Sequence, residues 1–260
     1  MKLSILFLLF LTSCGSLEYS PWQSDPPTRD LTAKHLAWLD RSNDSFTPFK
    51  FVLSGDSQAV IGHFDNMIQV SNALSDIDFV TVAGDLTDLG FNKEFELFNK
   101  ALKNSNKPVI TVVGNHDGLN NGDKLYTQMF GPLNYTFMYK DVKFIMWNNN
   151  AYEWQVDFDF LETELKSNTR TILIAHQPPY AGTLTPTQES RWREIRKNPN
   201  LIASLHGHQH RQFFSKEDGL PIFIVERVTN SNFAIVEVTS SGVKISGCSS
   251  LCKFVGEGER

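Results

Sequence analysis

The stretch DFVTVAGDLTD at residues 78–88 decides the fold. It is a short run of β-branched and aromatic residues that ends on a glycine, and Asp85 follows that glycine at once. Two further runs have the same form, FKFVLSGD at residues 49–56 and PVITVVGNHD at residues 108–117, and stretches of helix length lie between the runs at residues 65–74 and 92–103. This alternation predicts a β-α-β-α-β unit with a partly parallel sheet.

The second half of the chain contains more strands than helices. Residues 135–150 predict a hairpin that turns at Lys140 and Asp141. Helices are expected at residues 158–166 and 188–197, and strand-like runs at residues 170–179, 201–210, 211–217, 221–227 and 232–238, with a turn at Asp218 and Gly219. The predicted fold class is therefore α/β, with two packed mixed β-sheets flanked by helices, in one domain at residues 48–260.

Composition excludes two broad classes of protein. Hydrophobic residues make up 41% of the 260 residues and charged residues 20%, which is too apolar for an intrinsically disordered chain. Lys and Arg number 24 against 29 Asp and Glu, so the net charge is −5. This mildly acidic balance gives no electrostatic footprint for nucleic acid, and no nucleic-acid partner is expected.

The first residues are not expected to belong to the domain. Residues 3–11 are an apolar run of signal-peptide length, far short of the ~20 apolar residues of a spanning helix. The following Leu-Thr-Ser-Cys-Gly, at residues 11–15, resembles the lipobox of bacterial lipoproteins, in which the chain is cut before a cysteine that carries the lipid. Residues 1–13 are therefore interpreted as a lipoprotein signal peptide and Cys14 as the lipidated residue. The alternative is an ordinary cleaved signal that leaves Cys14 as an incidental thiol.

This interpretation has consequences for location and for the cysteines. The protein is expected to be exported and held by its lipid anchor alone in the bacterial cell envelope, at the periplasmic face or the outer membrane. Residues 14–47 are then a lipidated tether with a short helix at residues 31–39. In an oxidising compartment Cys248 and Cys252 form an even pair. A disulfide and two reduced thiols both stay open, because such a short separation closes only a small loop.

Polar residues follow the predicted strands repeatedly. The carboxyl ends of parallel strands meet at one edge of a sheet, where reactive groups collect. Imidazoles together with carboxylates suit Mn, Fe or Zn, and the potential ligands are too many for one ion. His35 and His63 lie away from these strand ends and are interpreted as structural. The residues at the strand ends are Asp56, Ser57 and Gln58; Asp85, Thr87 and Asp88; Asn115, His116 and Asp117; His176; and His206, His208 and His210.

This set of residues closely resembles the calcineurin-like metallophosphoesterase family. The family's pattern D-x-H, G-D-x-x-D, G-N-H-D/E, H and G-H-x-H is matched block by block over roughly residues 49–210. The resemblance implies an α/β/β/α sandwich and two divalent or transition metal ions, of Mn, Fe or Zn. By that resemblance one metal would be held by Asp56, Asp85 and His210, and the other by Asp85, Asn115, His176 and His208, with Asp85 bridging them.

The same resemblance implies an activity and two residues that serve it. The expected reaction is the hydrolysis of a phosphate mono- or diester, from a small phosphorylated substrate, by a hydroxide that bridges two metals about 3.5–4 Å apart. His116 takes the position of the group that gives a proton to the leaving oxygen, and Asp88 the position that orients its ring. Asp117 is interpreted as a turn-stabilising residue.

Two residues depart from the family's pattern. Gln58 stands where the family usually has a His ligand, so it is either a metal ligand weaker than imidazole or a contact to the substrate or to the metal's other ligands. Leu89 follows Asp88 where the Ser/Thr protein phosphatases of this superfamily carry an Arg, which disfavours that branch.

The substrate itself stays open. Candidates to line a pocket for a nucleotide or sugar phosphate, or to form a solvated helix face, are Tyr180, Arg191, Trp192 and Arg193.

Two other functions agree with parts of the sequence. Gly55-Asp56-Ser57 resembles the nucleophile block of GDS-type serine esterases, with Ser57 as the nucleophile, and Gly114-Asn115 faintly resembles their oxyanion block. That interpretation lacks a base, because the last histidine is His210 and no Asp-x-x-His follows the first blocks. A non-catalytic metal-binding lipoprotein is the third hypothesis, and it would follow if Gln58 abolished the first metal site.

Overall fold

The computed structural model describes residues 24–39, 45–150, 156–180, 183–249 and 252–259. The predicted signal peptide at residues 1–13 and the predicted lipid attachment at Cys14 lie outside these residues, so both stay predictions. Within the described part of the chain, no helix has the length and apolar character needed to cross a membrane.

Each of the three runs that decide the fold forms a strand, at Phe49–Ser54 (β1), Phe79–Ala83 (β2) and Val109–Val112 (β3). The helices are Leu31–Trp38 (α1), Ile61–Ala73 (α2), Asn92–Leu102 (α3), Gly122–Met129 (α4), Phe158–Glu164 (α5) and Pro186–Ile195 (α6). The remaining strands are Tyr135–Tyr139 (β4), Val142–Trp147 (β5), Thr171–Ala175 (β6), Leu201–His206 (β7), Phe213–Glu217 (β8), Leu220–Ile224 (β9), Phe233–Thr239 (β10), Gly242–Cys248 (β11) and Cys252–Glu259 (β12).

The strands form two mixed sheets of six strands each, as the sequence predicted. The first has the order β12-β11-β10-β1-β2-β3, in which β1, β2 and β3 are parallel and the other pairs antiparallel. The second has the order β4-β5-β6-β7-β9-β8, in which the four central strands are parallel and both edge strands antiparallel. Each sheet therefore gathers the carboxyl ends of its parallel strands at one edge.

Three apolar clusters hold four layers together. Stacked aromatic rings lie between the sheets, with Phe51 on Phe79 at 5.0 Å and Phe137 on Phe144 at 4.7 Å between ring centres. The outer face of the first sheet packs on α2, α3 and α4, and the outer face of the second packs on α5 and α6. This arrangement confirms the predicted α/β/β/α sandwich.

Helix α1 packs against the domain. Leu31 and Leu39 are buried among the core residues. The Nδ1 atom of His35 accepts a hydrogen bond from the backbone N–H of Val109 at 3.0 Å, and burial lowers the pKa of His35. His35 and His63 thus both lie in helices, away from the strand ends that carry the other histidines.

Some elements differ from the sequence predictions. Helix α2 begins at Ile61 rather than at Asp65, because Ile61 adds an apolar contact to the cluster beneath the helix. The sequence patterns do not predict α4, β11 or β12. In the β11–β12 pair Cys248 lies opposite Cys252 and the two form a disulfide, which selects one of the two alternatives that the sequence left open.

Candidate metal centre

The predicted site residues come together at one edge of the molecule. The loops that carry them follow β1, β2 and β3 in the first sheet and β6 and β7 in the second. Because the sheets pack face to face, the carboxyl ends of their parallel strands meet there. The side chains that share contacts at this edge belong to Asp56, Gln58, Asp85, Asn115, His176, His208 and His210.

One group of potential ligand atoms surrounds Asp56. Asp56, Asp85 and His210 each offer an atom within 4.8 Å of the others. The Nε2 atom of His210 lies 3.3 Å from Oδ1 of Asp56. The amide nitrogen of Gln58 belongs to the same group, at 3.2 Å from Oδ2 of Asp85 and 3.3 Å from Nε2 of His210. These are the residues predicted for the first metal.

A second group surrounds His176. Asp85, His176 and His208 also offer atoms within 4.8 Å of one another. The Nε2 atom of His176 lies 3.1 Å from Oδ2 of Asp85, 3.2 Å from Nδ1 of His208 and 3.0 Å from Oδ1 of Asn115. The other ring nitrogen of His176 donates to the carbonyl oxygen of Ala83 at 2.7 Å, which leaves Nε2 for a metal. Asp85 belongs to both groups.

Four of these residues have a left-handed backbone conformation. The φ angle is 56° at Asp56, 55° at Asp85, 70° at His208 and 53° at His210. Asp and His tolerate this region better than most residues with a side chain, and such residues cluster at functional sites. The backbone N–H of His208 also donates to both carboxylate oxygens of Asp56, at 3.0 and 3.1 Å. The fold itself therefore fixes the ligand positions.

The loops after β2 and β3 approach each other closely at Gly114. A Cβ atom at this position would lie 2.0 Å from the backbone nitrogen of Asp85 and 2.1 Å from its Oδ1. No other residue type fits there without displacing Asp85.

The backbone N–H of Gly114 donates to Oδ2 of Asp117 at 2.8 Å. Burial and the nearby charge of Asp85 raise the pKa of Asp117 to about 7. The hydrogen bond from Gly114 agrees with the turn-stabilising role predicted for Asp117.

The electrostatics of the centre favour bound positive charge. Asp56 and Asp85 are both buried. Burial opposes ionisation of Asp85, but His176 outweighs it and holds the pKa of Asp85 below its ordinary value. Burial also disfavours the protonated form of His176, yet Asp85 raises the pKa of His176 to about 9. The buried carboxylates thus stabilise the protonated form of a buried imidazole.

The residues of the centre fit two metal ions. The donor set combines carboxylates, imidazoles and side-chain amides, which suits Mn, Fe or Zn. The buried Oε1 atom of Gln58 has no hydrogen-bond partner among the described residues, although a buried amide oxygen ordinarily has one. Rotation of this amide would exchange its nitrogen for its oxygen beside Asp85 and His210, and thereby supply an oxygen donor to the first group.

His116 lies at the rim of the centre. Its backbone N–H donates to Oδ1 of Asp85 at 3.0 Å, and its ring is 37% exposed. The Nδ1 atom of the ring donates to the backbone carbonyl oxygen of Asp88 at 2.7 Å, whereas the Asp88 carboxylate lies 4.0 Å away. Asp88 thus contacts the ring mainly through its backbone, and Nε2 of His116 is left for a substrate.

Ser57 lacks the partners that a nucleophile needs. Its hydroxyl is buried and lies 3.3–3.4 Å from the backbone carbonyl oxygens of Leu86 and Asp85. No described histidine bonds to it, and the N–H of Gly114 that would serve an oxyanion is taken by Asp117. The structure therefore does not support the serine-esterase alternative.

Several supporting residues were missed by the sequence analysis. Asn149 and Asn150 follow β5, are buried, and bond across to the loops after β6 and β3: Asn149 to the carbonyl oxygen of Gln177 at 2.6 Å, and Asn150 to that of Val113 at 3.0 Å. Three asparagines in a row after an apolar strand were the signal. The guanidinium of Arg227 donates to the backbone oxygen of Gln58, and no sequence pattern indicates this contact.

His206 is not part of the centre. It is buried within β7, where its ring nitrogens lie 3.0 Å from the carbonyl oxygen of Ala175 and 2.7 Å from the hydroxyl of Ser204. Burial lowers the pKa of His206 to about 3, so it is neutral at physiological pH. Its role is structural, unlike that of His208 and His210 after the strand.

The candidate substrate-binding residues after β6 separate into two places. Tyr180, Trp192 and Arg193 line a cleft of about 720 Å³ between α6 and β8. Arg193 pairs there with Glu189. Arg191 instead pairs with acidic residues of the α5 region. The cleft therefore does not gather these arginines around one phosphate.

Comparison with solved structures agrees with this fold. A dimetal phosphatase from Danio rerio matches with a TM-score of 0.65 at 14% sequence identity, over 82% of this chain and 99% of that one. A purple acid phosphatase from yellow lupin (Lupinus luteus) seeds matches with a TM-score of 0.66 at 13% identity, over 83% of this chain and 54% of that one. GAP50, the anchor in the inner membrane complex of Plasmodium, matches with a TM-score of 0.59 at 11% identity, over 82% of this chain and 88% of that one. At such identities the similarity shows the fold alone.

Comparison at the level of sequence identifies the family. No curated protein is detectably similar to this chain. The family model for calcineurin-like phosphoesterases, however, matches residues 49–212. This match covers more than half of the chain and includes both groups of potential metal ligands. The chain therefore belongs to the calcineurin-like phosphoesterase family.

Proposed function

We propose that this protein hydrolyses a phosphate mono- or diester with the help of two metal ions. The observation that carries the proposal is the position of Asp85, which belongs to both groups of potential ligand atoms. A carboxylate shared by two metal sites holds two ions close enough to act on one phosphate. Membership of the family supports the same reaction class.

The residues of the centre divide into two sets of ligands. When bound, two divalent ions supply neutralising charge for the phosphate and lower the pKa of water. Mn, Fe and Zn all suit the donor set. The first ion would be held by Asp56, Asp85 and His210 with Gln58 beside them, and the second by Asp85, Asn115, His176 and His208.

His116 provides the proton that the leaving alcohol needs. In the hydrolysis a P–O bond to the oxygen of water forms and the ester P–O bond breaks, so negative charge develops on the leaving oxygen. The backbone carbonyl of Asp88 fixes Nδ1 of His116, which leaves Nε2 to hold and transfer the proton. The partial exposure of the ring is consistent with this role.

The test combines metal content with activity on generic esters. The mature full chain, stripped by chelation and reloaded with Mn, Fe or Zn, should hydrolyse 4-nitrophenyl phosphate or its bis-ester only when reloaded. Asp85→Asn should lose both ions and the activity together. Asp159→Asn removes an exposed carboxylate outside the centre, and it should change neither the metal content nor the activity.

Three outcomes would contradict the proposal. Full activity of the chelated protein would exclude metal catalysis. Loss of activity in Ser57→Ala with retention in Asp85→Asn would favour the serine esterase. A protein that binds two ions but hydrolyses neither ester in any metal form would favour the non-catalytic alternative.

We also propose that the protein is anchored to the bacterial cell envelope through a lipid on Cys14. The apolar run and the lipobox-like residues 11–15 support this proposal. Mass spectrometry of the mature protein should find an acylated Cys14 at the amino terminus, and Cys14→Ser should release the protein from the membrane fraction. A soluble mature protein with a free Cys14 thiol would contradict it.

A further inference from the structure

A pocket of about 240 Å³ opens beside the metal centre. We call it the side pocket. Two of its lining residues connect it to the centre: Gln58 contacts Asp85 and His210, and Asp88 fixes the ring of His116 at the rim. The side pocket therefore begins where the leaving group of a substrate would depart. The lining residues that matter here are Gln58, Ile61, Leu86, Asp88, Glu94 and Leu97.

Much of the polar lining is engaged within the protein. One oxygen of Glu94 accepts hydrogen bonds from two backbone N–H groups, each at 3.0 Å. The hydroxyl of Ser57, which also lines the pocket, faces two backbone carbonyl oxygens. The apolar surface left for a ligand is mainly that of Ile61 and Leu97, because Leu86 is only 2% exposed. A ligand with an apolar body would bury this surface.

The exposure of two leucines supports this view. Leu97 in the pocket wall is 43% exposed, and Leu89, next to Asp88, is 44% exposed. Large apolar side chains this exposed are few among the described residues. Leu97 in the wall of the side pocket is therefore a surface that an apolar ligand would cover favourably, and Leu89 directly follows Asp88, which lines the same pocket.

The charge of the side pocket restricts the ligand further. Asp88 and Glu94 carry its carboxylates, and none of the described residues that line it is Lys or Arg. Coulomb repulsion would disfavour a second negative group at this place, while a positive group would be attracted. The pocket therefore discriminates against leaving groups that carry a phosphate or carboxylate.

We infer that the side pocket binds the alcohol part of the substrate, and that this alcohol is apolar and either uncharged or positively charged. The inference rests on the proposed function, and in particular on His116 as the donor to the leaving oxygen. It predicts that nucleoside polyphosphates and sugar bisphosphates are poorer substrates than esters of apolar alcohols.

The first test measures binding without metal or catalysis. Saturation-transfer NMR on the metal-free full chain compares benzyltrimethylammonium, benzyl alcohol and benzoate, which differ in charge but share a ring. Binding should weaken in that order. Leu97→Lys should strengthen benzoate and weaken the cation by about fivefold each, as expected for one nearby charge in a mostly aqueous setting. Val70→Lys is the matched control, since Val70 is 41% exposed on α2 and does not line the pocket.

The second test measures specificity in the metal-loaded protein. The value of kcat/KM should be higher for benzyl phosphate than for 4-carboxybenzyl phosphate, and Leu97→Lys should narrow this ratio about fivefold. Val70→Lys, on α2 and outside the pocket, should leave this ratio unchanged.

The outcomes separate this inference from the proposed function. Equal binding of the three probes, or identical effects of Leu97→Lys and Val70→Lys, would overturn the inference, and hydrolysis of esters without regard to charge would do so while the proposed function stands. If the expected binding order is found but no phosphate ester is hydrolysed, the proposed function fails and the pocket's assignment to a leaving group falls with it.

Discussion

Asp117 binds Thr87 twice: Oδ1 of Asp117 accepts hydrogen bonds from the backbone N–H and from the hydroxyl of Thr87, each at 2.9 Å. The other carboxylate oxygen is taken by the loop after β3. The buried carboxylate therefore joins the loops that follow β2 and β3, the first of which carries Asp85.

Replacement of Asp117 should loosen this junction. Asp117→Ala leaves buried N–H groups without partners, which should lower the free energy of unfolding by ~1–3 kcal/mol or more. Thr87→Val removes only the hydroxyl bond and should cost about 1 kcal/mol. Urea denaturation of the metal-free proteins measures both. Equal stability of Asp117→Ala and the wild type would show that the junction contributes nothing.

Gln58 gives a test of the first metal site. Its amide lies between Asp85 and His210, within 3.3 Å of both, so a ligand at this position reaches the site. Imidazole binds transition metals more strongly than an amide does, and Gln58→His should therefore lower the metal concentration needed for half-maximal activity. Gln58→Ala should raise it. Unchanged metal dependence in both variants would place Gln58 outside the set of ligands.

His116 should matter most when the leaving group is poor. An alkyl alcohol needs a proton to depart. His116→Ala should therefore reduce the rate of hydrolysis of an alkyl phosphate ester by about 10²–10⁴-fold, as is typical of a positioned general acid. A nitrophenolate departs without a proton, and its rate should fall much less. Rates for both esters and metal content are measured together. An equal loss on both esters with metal intact would exclude His116 as the donor to the leaving group.

The docking of α1 should depend on pH. The neutral ring of His35 accepts the N–H of Val109, and burial lowers the pKa of His35 below its ordinary value. The stability from this contact is therefore present above about pH 6.5 and is lost as the pH falls towards the folded-state pKa. His35→Gln keeps an acceptor that does not titrate. The loss of stability between pH 8 and pH 5 should be about 1 kcal/mol smaller in this variant, by urea denaturation at both values.

If His35→Gln and the wild type lost the same stability between pH 8 and pH 5, protonation of His35 would not be a cause of the loss. Protection of the Val109 amide from hydrogen exchange gives a local check, since it should fall at low pH in the wild type alone.

The parts of the fold that sequence patterns predicted have local causes. The Gly-Asp and Gly-Asn steps after apolar runs mark strand ends because the chain turns sharply there. Lys140 and Asp141 both have left-handed backbone, with φ of 45° and 63°, as a tight hairpin turn requires. The candidate metal ligands could be assigned to one site for the same reason, because they lie just after the ends of parallel strands.

The parts that were missed depend on distant contacts. Strand β12 has the sequence CKFVGEGE, with no clear apolar alternation. Its Gly258 lies so close to Pro221 that a Cβ atom would be 2.2 Å from the proline ring. A glycine that permits one sheet to approach another carries no signal in the sequence itself. The bond from Arg227 to the loop at Gln58 is equally non-local.

The left-handed backbone at Asp56, Asp85, His208 and His210 has a consequence for substitutions at these positions. A β-branched residue placed there would lose the donor atom and would also meet a steric cost in the backbone. Loss of metal binding in such a variant would then have two separate causes. Asn tolerates the left-handed conformation as Asp does, so a change of Asp to Asn isolates the contribution of the donor atom.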